Sequence, residues 1–189
     1  MNAQNVSTGK PTGGAISTAP LNTPLPLDAV TDLTGFESLG YISDAGLVNS
    51  NTPANTDIKA WGGQTVLSVQ SEKPDTFKFT LIEVMNKVVL RAVYNDNNVT
   101  EIEVQDNETD KHTEIKISAN ADEPEYKSYV IDMIMKAGAL KRIVIPAAKV
   151  TSISDISYTD SGAVGYEITI TAVPDTAGNT HYEYIKTVQ

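Results

Sequence analysis

The sequence has few of the residues on which enzyme and metal sites usually depend. It contains no cysteine and only two histidines among 189 residues. Disulfides, thiolate ligands and cysteine nucleophiles are therefore excluded. The sequence also lacks a G-x-S-x-G or H-E-x-x-H motif, which mark common hydrolase and metalloprotease sites. We expect no catalytic, cofactor or metal site, and we predict that the protein is not an enzyme.

Basic residues and long apolar runs are scarce as well. Fourteen Lys and Arg stand against 24 Asp and Glu, which gives a formal net charge of −10. Such a charge opposes nonspecific binding to nucleic acid. No apolar run is long enough to span a bilayer, and the N-terminus lacks the apolar core of a signal peptide. These features predict a soluble protein, made in the cytoplasm, without a membrane contact.

The strongest local signals lie between Lys59 and Tyr94. Trp61-Gly62-Gly63 is typical of a turn and contains the only tryptophan. Polar and apolar residues then alternate over residues 65–70 and 76–80, which predicts two strands.

A helix over about residues 80–94 is predicted next. Thr80 and Glu83 have the spacing of a capping box, and the asparagines after Tyr94 are expected to end the helix. On a helical wheel Leu90 and Tyr94 fall among polar residues. They form an exposed apolar spot that is either tolerated exposure or a subunit contact.

The remainder of the chain is read mainly as strands. Alternation predicts a hairpin formed by residues 101–105 and 114–118, then strands over 126–136, 140–146, 150–158, 166–172 and 181–186. The predicted fold is therefore mainly β, an antiparallel β-sandwich or barrel with one flanking α-helix. In the first hairpin Glu101, Glu103 and Glu114 are expected to share a polar face.

Two segments lack this pattern. Residues 1–27 are rich in Ser, Thr, Asn, Gly and Pro, and they predict an N-terminal arm or an extended strand before a single domain at 28–189. The arm is either a floppy terminus or orders against a neighbouring subunit. Residues 43–63 predict a long surface loop, and such loops are often functional.

Several stretches, taken together, resemble the major tail tube proteins of long-tailed, non-contractile bacteriophages of Gram-positive hosts. The stretches that carry this resemblance, in chain order, are NVSTGKPTGGAI, LGYISDAGL, IKAWGGQTVLSVQSEKPDTFKFTLIE, LKRIVIPAAKV and ISYTDSGAVGYEITITAVPD.

The resemblance implies a structural protein of the virion whose copies form hexameric rings that stack into the tail tube. It implies a tape-measure protein and a tail terminator as further partners, and DNA that passes through without specific binding. The resemblance indicates residues that bridge rings, and the exposed apolar spot on the helix adds candidates for contacts between subunits. Bridges between rings are expected at Asn2, Val6, Lys10 and Ile16 in the arm and at Asn49 and Asn55 in the loop, and contacts between subunits at Trp61, Leu90 and Tyr94.

The acidic hairpin face has two interpretations. If Glu101, Glu103 and Glu114 face the lumen, they repel DNA phosphates and leave the duplex free to slide. A solvated outer face explains the same alternation. A different class of function also fits the strand pattern, namely a non-enzymatic β-sandwich binding or adhesion module on a virion or cell surface.

Overall fold

The computed structural model describes residues 6–107 and 110–187, which form a mainly β, antiparallel structure with one α-helix. The predicted fold class is confirmed as a β-sandwich with a flanking helix, and the described strands form no closed barrel. The helix is α1 (Lys87–Tyr94), and the strands are β1 (Lys10–Pro20), β2 (Glu37–Ser38), β3 (Ile42–Ser50), β4 (Ala54–Lys59), β5 (Thr65–Glu72), β6 (Asp75–Leu81), β7 (Val99–Asn107), β8 (Asp110–Ile117), β9 (Lys127–Ile134), β10 (Leu140–Ile153), β11 (Tyr166–Ala172) and β12 (Tyr182–Lys186).

Eight strands form the main sheet, in the order β2-β1-β9-β10-β11-β6-β3 with β12 added beside β10. The segment that contains β2 and β3 joins the two ends of this order. The N–H of Leu39 donates to the carbonyl of Ile16, and the N–H of Ile82 donates to the carbonyl of Tyr41. The remaining strands form two separate hairpins, β4–β5 and β7–β8.

The core is built from alternate residues of the central strands. β6 buries Phe77, Phe79 and Leu81, and β11 buries Ile168 and Ile170. Because successive side chains of a strand point to opposite faces, one face of each strand meets the core. The buried residues form one apolar cluster, to which β1, β6, β9, β10, β11 and α1 contribute.

The helix is shorter than the sequence predicts. It begins at Lys87, and its N-cap is Asn86, whose Oδ1 accepts a hydrogen bond from the N–H of Val88 at 2.9 Å. Asparagine is a favoured N-cap because its side chain replaces the missing backbone acceptor. The predicted end is confirmed, since the helix stops at Tyr94 and Asn95 has φ 75°.

The capping box predicted at Thr80 and Glu83 is wrong. Thr80 lies in β6, and Glu83 accepts a hydrogen bond from the N–H of Tyr41 at 2.8 Å. Leu81 continues the buried alternation of β6 and is fully buried opposite Tyr166. Burial in the sheet therefore outweighs the local helix signal, as tertiary context often does.

The exposed apolar spot predicted on the helix is also wrong. Leu90 is only 3% exposed and belongs to the core cluster. Tyr94 is half-buried, and its ring meets that of Tyr166 edge to face, with 5.9 Å between the centroids. The basis for assigning these two residues to a subunit contact is therefore removed.

Part of the predicted arm lies inside the main sheet. Residues 10–20 form β1, which pairs with β9, and Ile16 is fully buried opposite Ile131. Of the two readings of this segment, the extended strand is the one observed. The predicted long loop also differs, because residues 54–59 and 65–72 within and after it pair as the β4–β5 hairpin.

A buried arginine ties the segment after β1 to the sheet. Arg142, which is 5% exposed, donates from Nε and Nη2 to the two carboxylate oxygens of Asp132 at 2.6 and 2.9 Å. Its Nη1 donates to the carbonyl of Thr31 at 2.7 Å. This bidentate pair joins the buried guanidinium to a half-buried carboxylate, and the bond from Nη1 holds the segment in place.

A buried carboxylate, that of Asp75, likewise ties separate segments of the chain to the sheet. Asp75 is 1% exposed, and it accepts hydrogen bonds from Asn49 Nδ2 at 2.9 Å, from Thr180 Oγ1 at 2.6 Å and from His181 Nδ1 at 2.5 Å. Burial alone raises the pKa of this carboxyl, but the three hydrogen bonds outweigh it and lower the pKa below 3.8. Asp75 thus connects the end of β3 and the C-terminal segment to β6.

We expect Leu90→Ala to lower the free energy of unfolding by about 2–5 kcal/mol, because it leaves a cavity in the core. Leu67→Ala is the control, since Leu67 is 52% exposed on the β4–β5 hairpin, and its effect should stay within about 0.5 kcal/mol. Urea unfolding measures both. Equal effects of the two substitutions would contradict the core position of Leu90.

We expect Asp75→Asn to lower the free energy of unfolding by about 2–4 kcal/mol at neutral pH, because a buried charged acceptor is lost. The pKa of Asp75 is lower in the folded state than 3.8. Its stabilisation is therefore complete above the pKa of the unfolded carboxyl and declines as the pH falls below that value. Unfolding measured from about pH 6 to about pH 2.5 should show a smaller acid-dependent loss in Asp75→Asn than in the exposed control Asp57→Asn.

Candidate interaction surfaces

The β4–β5 hairpin has one apolar and one polar face. Ile58 lies opposite Leu67, and Thr56 lies opposite Val69. Directly paired residues share a face, and residues two apart along a strand do as well. We call these four residues the apolar hairpin face. The opposite face is mainly polar and is formed by Asn55, Asp57, Ser68 and Gln70, with the exposed Val66 at the register shift beside it.

This apolar hairpin face has no cover within the subunit. Every residue of β5 is exposed, and Ile58, Leu67 and Val69 are 51%, 52% and 48% exposed. An isolated two-stranded hairpin is at best marginally stable in water unless its apolar face packs against something. The hairpin therefore has the apolar alternation of a strand that packs on a core, but no core of its own subunit covers it.

The tip of the same hairpin presents Trp61 to solvent. The turn is closed by two hydrogen bonds, from the N–H of Ala60 to the carbonyl of Gln64 and from the N–H of Gly63 to the carbonyl of Ala60. Gly62 and Gly63 have φ of 110° and 88°, which only glycine adopts without strain. Trp61 is fully exposed, so this turn holds a large apolar side chain in water.

The β7–β8 hairpin does not have the single acidic face that we predicted. Glu101 lies opposite Ile115, whereas Glu114 lies opposite Ile102. Glu101 and Glu103 therefore share one face, and Glu114 lies on the other. The two strands alternate in opposite phase across the pair, so each face combines charged and apolar residues.

The three glutamates also differ in their contacts. Glu101 forms a partly exposed ion pair with Lys87 of α1 at 2.5 Å. Glu114 lies 3.3 Å from Nε2 of His112 on its own strand. Both pairs are partly exposed, so each contributes little to stability.

The residues predicted to bridge rings from the arm occupy different environments. Asn2 lies outside the described residues. Val6 is 70% exposed, and Lys10 is exposed at the start of β1. Ile16 is fully buried inside the subunit and is not available for such a contact in this conformation.

The two loop residues predicted to bridge rings, Asn49 and Asn55, also differ in their environments. Asn49 donates from Nδ2 to Asp75 and to the carbonyl of Thr76, so its side chain is used within the subunit. Asn55 is exposed on the polar face of the β4–β5 hairpin. The apolar face of that hairpin escaped the sequence analysis, although the shared phase of Leu67 and Val69 signals it.

A groove between β1 and β3 was not predicted either. It has a volume of about 420 Å³ and an apolar floor formed by Ala15, Ile16, Ile42, Leu47, Ile131 and Met133. Both flanking strands are bulged beside it, β1 between Pro11 and Ile16 and β3 between Ile42 and Leu47. Bulges of this kind depend on pairing partners far away in the chain, so the sequence carries little local signal for them.

Neither a metal-binding cluster nor a membrane-spanning helix is found among the described residues. Within the described ranges, no group of three or more His, Asp or Glu side chains is placed to hold a metal ion. The helix in the described part of the chain is too short to cross a membrane.

Comparison with known proteins identifies the family. The family model described as "Phage tail tube protein" matches residues 1–188. No curated protein matches the chain. The match covers nearly all of the chain. The chain therefore belongs to the phage tail tube protein family and is a structural component of the virion's tail.

Proposed function

We propose that copies of this chain form hexameric rings, that the rings stack into the tail tube of a long-tailed, non-contractile phage, and that the DNA genome passes through this tube into the host cell. The proposed partners are other copies of the chain, a tape-measure protein inside the tube and a terminator protein at its end. Membership of the tail tube family supports self-assembly. The number of subunits in a ring and the passage of DNA are parts of the proposal.

The observation that carries the proposal is the uncovered apolar hairpin face. Ile58, Leu67 and Val69 are each about half exposed on a hairpin whose opposite face is polar. Covering the exposed half of each side chain contributes about 1 kcal/mol. One hairpin thus supplies a few kcal/mol, and a ring that engages several hairpins at once gains from all of them.

The charge of the chain supports the proposed passage of DNA. A net charge of −10 per subunit surrounds the duplex with many negative charges and offers few sites that grip phosphate. If the β7–β8 hairpin borders the channel, only one of its faces is turned inward. We propose the face of Glu101 and Glu103, because it pairs two carboxylates with Lys111, whereas Glu114 shares its face with Lys116.

A binding or adhesion module on a virion surface is the competing function. Both functions fit a β-sandwich, but they differ in what the purified protein forms. Electron microscopy at high protein concentration should show rings or tubes, since a tail tube subunit associates with itself. Dispersed monomers under conditions that keep the chain folded would favour the module.

We expect the double substitution Ile58→Thr/Leu67→Thr to raise the protein concentration needed for assembly by about thirtyfold, which corresponds to about 2 kcal/mol of lost apolar burial. Threonine has the β-branched shape that strands favour, so the hairpin itself is preserved. Sedimentation of assembled material at increasing protein concentration measures the effect.

The matched control is Asp57→Thr/Ser68→Thr, which places the same residue type at a directly paired position on the opposite face. It should assemble at the concentration of the unmodified protein. Equal effects of the two double substitutions would show that the apolar hairpin face has no special part in assembly.

We expect Glu103→Cys in assembled tubes to react more slowly with a bulky thiol reagent than Glu114→Cys, because the channel admits the reagent only from its ends. The chain has no cysteine of its own, so each variant carries one reactive thiol. Both residues are exposed in the single subunit, and dissociated subunits of both variants should react alike. If the thiol at position 103 reacted faster than the thiol at position 114 in the tubes, the proposal that the face of Glu101 and Glu103 borders the channel would be wrong.

A further inference from the structure

We infer that Trp61 at the tip of the β4–β5 hairpin inserts into the groove between β1 and β3 of a second copy of this chain. This inference rests on the proposed function, because it names the acceptor for a contact within the tube. It concerns two surfaces of the subunit that have opposite shapes, a projecting aromatic side chain and an apolar cleft.

The donor is suited to insertion. Trp61 is fully exposed although it is the largest apolar side chain in the sequence. Its turn is fixed by the two backbone hydrogen bonds around Ala60, and nothing lies within 4 Å of the position of a Cβ on Gly62 or Gly63. The glycines therefore serve the turn conformation and leave open space around the indole. An ordered aromatic residue loses little conformational entropy on binding.

The acceptor is suited to an indole. Its volume of about 420 Å³ lies within the range of about 300–1,000 Å³ typical of pockets for small organic groups. The groove exposes the half-buried Ile42, Leu47 and Met133 as its apolar surface, above the fully buried Ile16. A thioether beside an aromatic ring is a favourable contact. The groove thus offers an apolar floor and a sulfur atom to the ring.

The rim of the groove offers polar partners to the same hairpin tip. Asp44 and Ser43 line it, and Asp44 is exposed. The indole N–H requires an acceptor when the ring is buried, and Ser43 and Asp44 each carry one. Lys59, two residues before Trp61, adds a positive charge that is complementary to Asp44 on the β3 side of the groove, while Lys10 lines the β1 side.

The positions of donor and acceptor require two molecules. The groove borders β3 between Ile42 and Leu47, whereas the hairpin leaves the sheet after the other end of this strand, at Ser50. Trp61 does not occupy the groove of its own subunit, because it is fully exposed. A contact between two different surfaces of identical chains is heterologous, and it produces closed rings or open filaments instead of an isolated dimer.

The test uses Trp61 as the sole fluorophore of its kind. Its emission maximum should shift to shorter wavelength when tubes form, and acrylamide should quench it several-fold less in tubes than in dissociated subunits. Trp61→Ala should raise the concentration needed for assembly by about thirtyfold, as expected for a buried aromatic anchor. Trp61→Phe should recover most of this loss.

A second measurement locates the acceptor. In Gln64→Cys/Asp44→Cys, a short bifunctional maleimide should join neighbouring copies in tubes, and it should not do so in dilute subunits. Gln64→Cys/Ser161→Cys is the control, because Ser161 is exposed and lies outside the groove. Equal cross-linking of the two pairs, or a shielded Trp61 without cross-linking to position 44, would overturn the assignment of the groove.

The outcomes separate the two proposals. If the folded protein forms neither rings nor tubes, the proposed function fails and this inference fails with it. If tubes form while Trp61 keeps the emission and quenching of the free subunit, the proposed function stands and this inference alone is wrong.

Discussion

The carboxylate of Asp75 fixes the place where the β4–β5 hairpin leaves the subunit. Asp75 begins β6, and the hairpin lies between it and the end of β3. Its bond to Asn49 closes the base of the hairpin, and its bonds to Thr180 and His181 attach the C-terminal segment at the same point. Because the base is held by buried polar contacts, the hairpin projects from a fixed origin, and less of the binding free energy is spent on ordering it.

The same strand alternation has two outcomes in this chain. In β6 it places Phe77 and Phe79 inside the closed core, whereas in β4 and β5 it leaves Ile58 and Leu67 uncovered. The difference lies in the partners, since β6 is paired on both sides and the hairpin pairs only with itself. The subunit thus has a closed core of its own, and the proposed assembly would cover the surface that the hairpin leaves exposed.

The sequence was sufficient to predict a strand where its own alternation shows which side chains are buried, as in β6 and β11. It was insufficient where pairing with distant strands decides the structure. Residues 10–20 contain two prolines and two glycines that hide β1, and only pairing with β9 reveals it. Likewise, alternation placed Glu101 and Glu114 correctly within their strands, but the register between the strands set them on opposite faces. The helix start failed because burial of Leu81 in the sheet outweighed a capping signal of about 1 kcal/mol.

Where it joins one ring to the next, the proposed contact between Trp61 and the groove gives the tube a direction. Each copy donates one hairpin and accepts another, so one end of the tube presents unfilled grooves and the other end presents exposed hairpin tips. These two surfaces differ in shape and chemistry, and further copies continue to add to either end. Growth then stops only when a different protein covers one of them. A terminator would therefore have to resemble one half of this contact, either an aromatic tip or an apolar cleft, without carrying the other half.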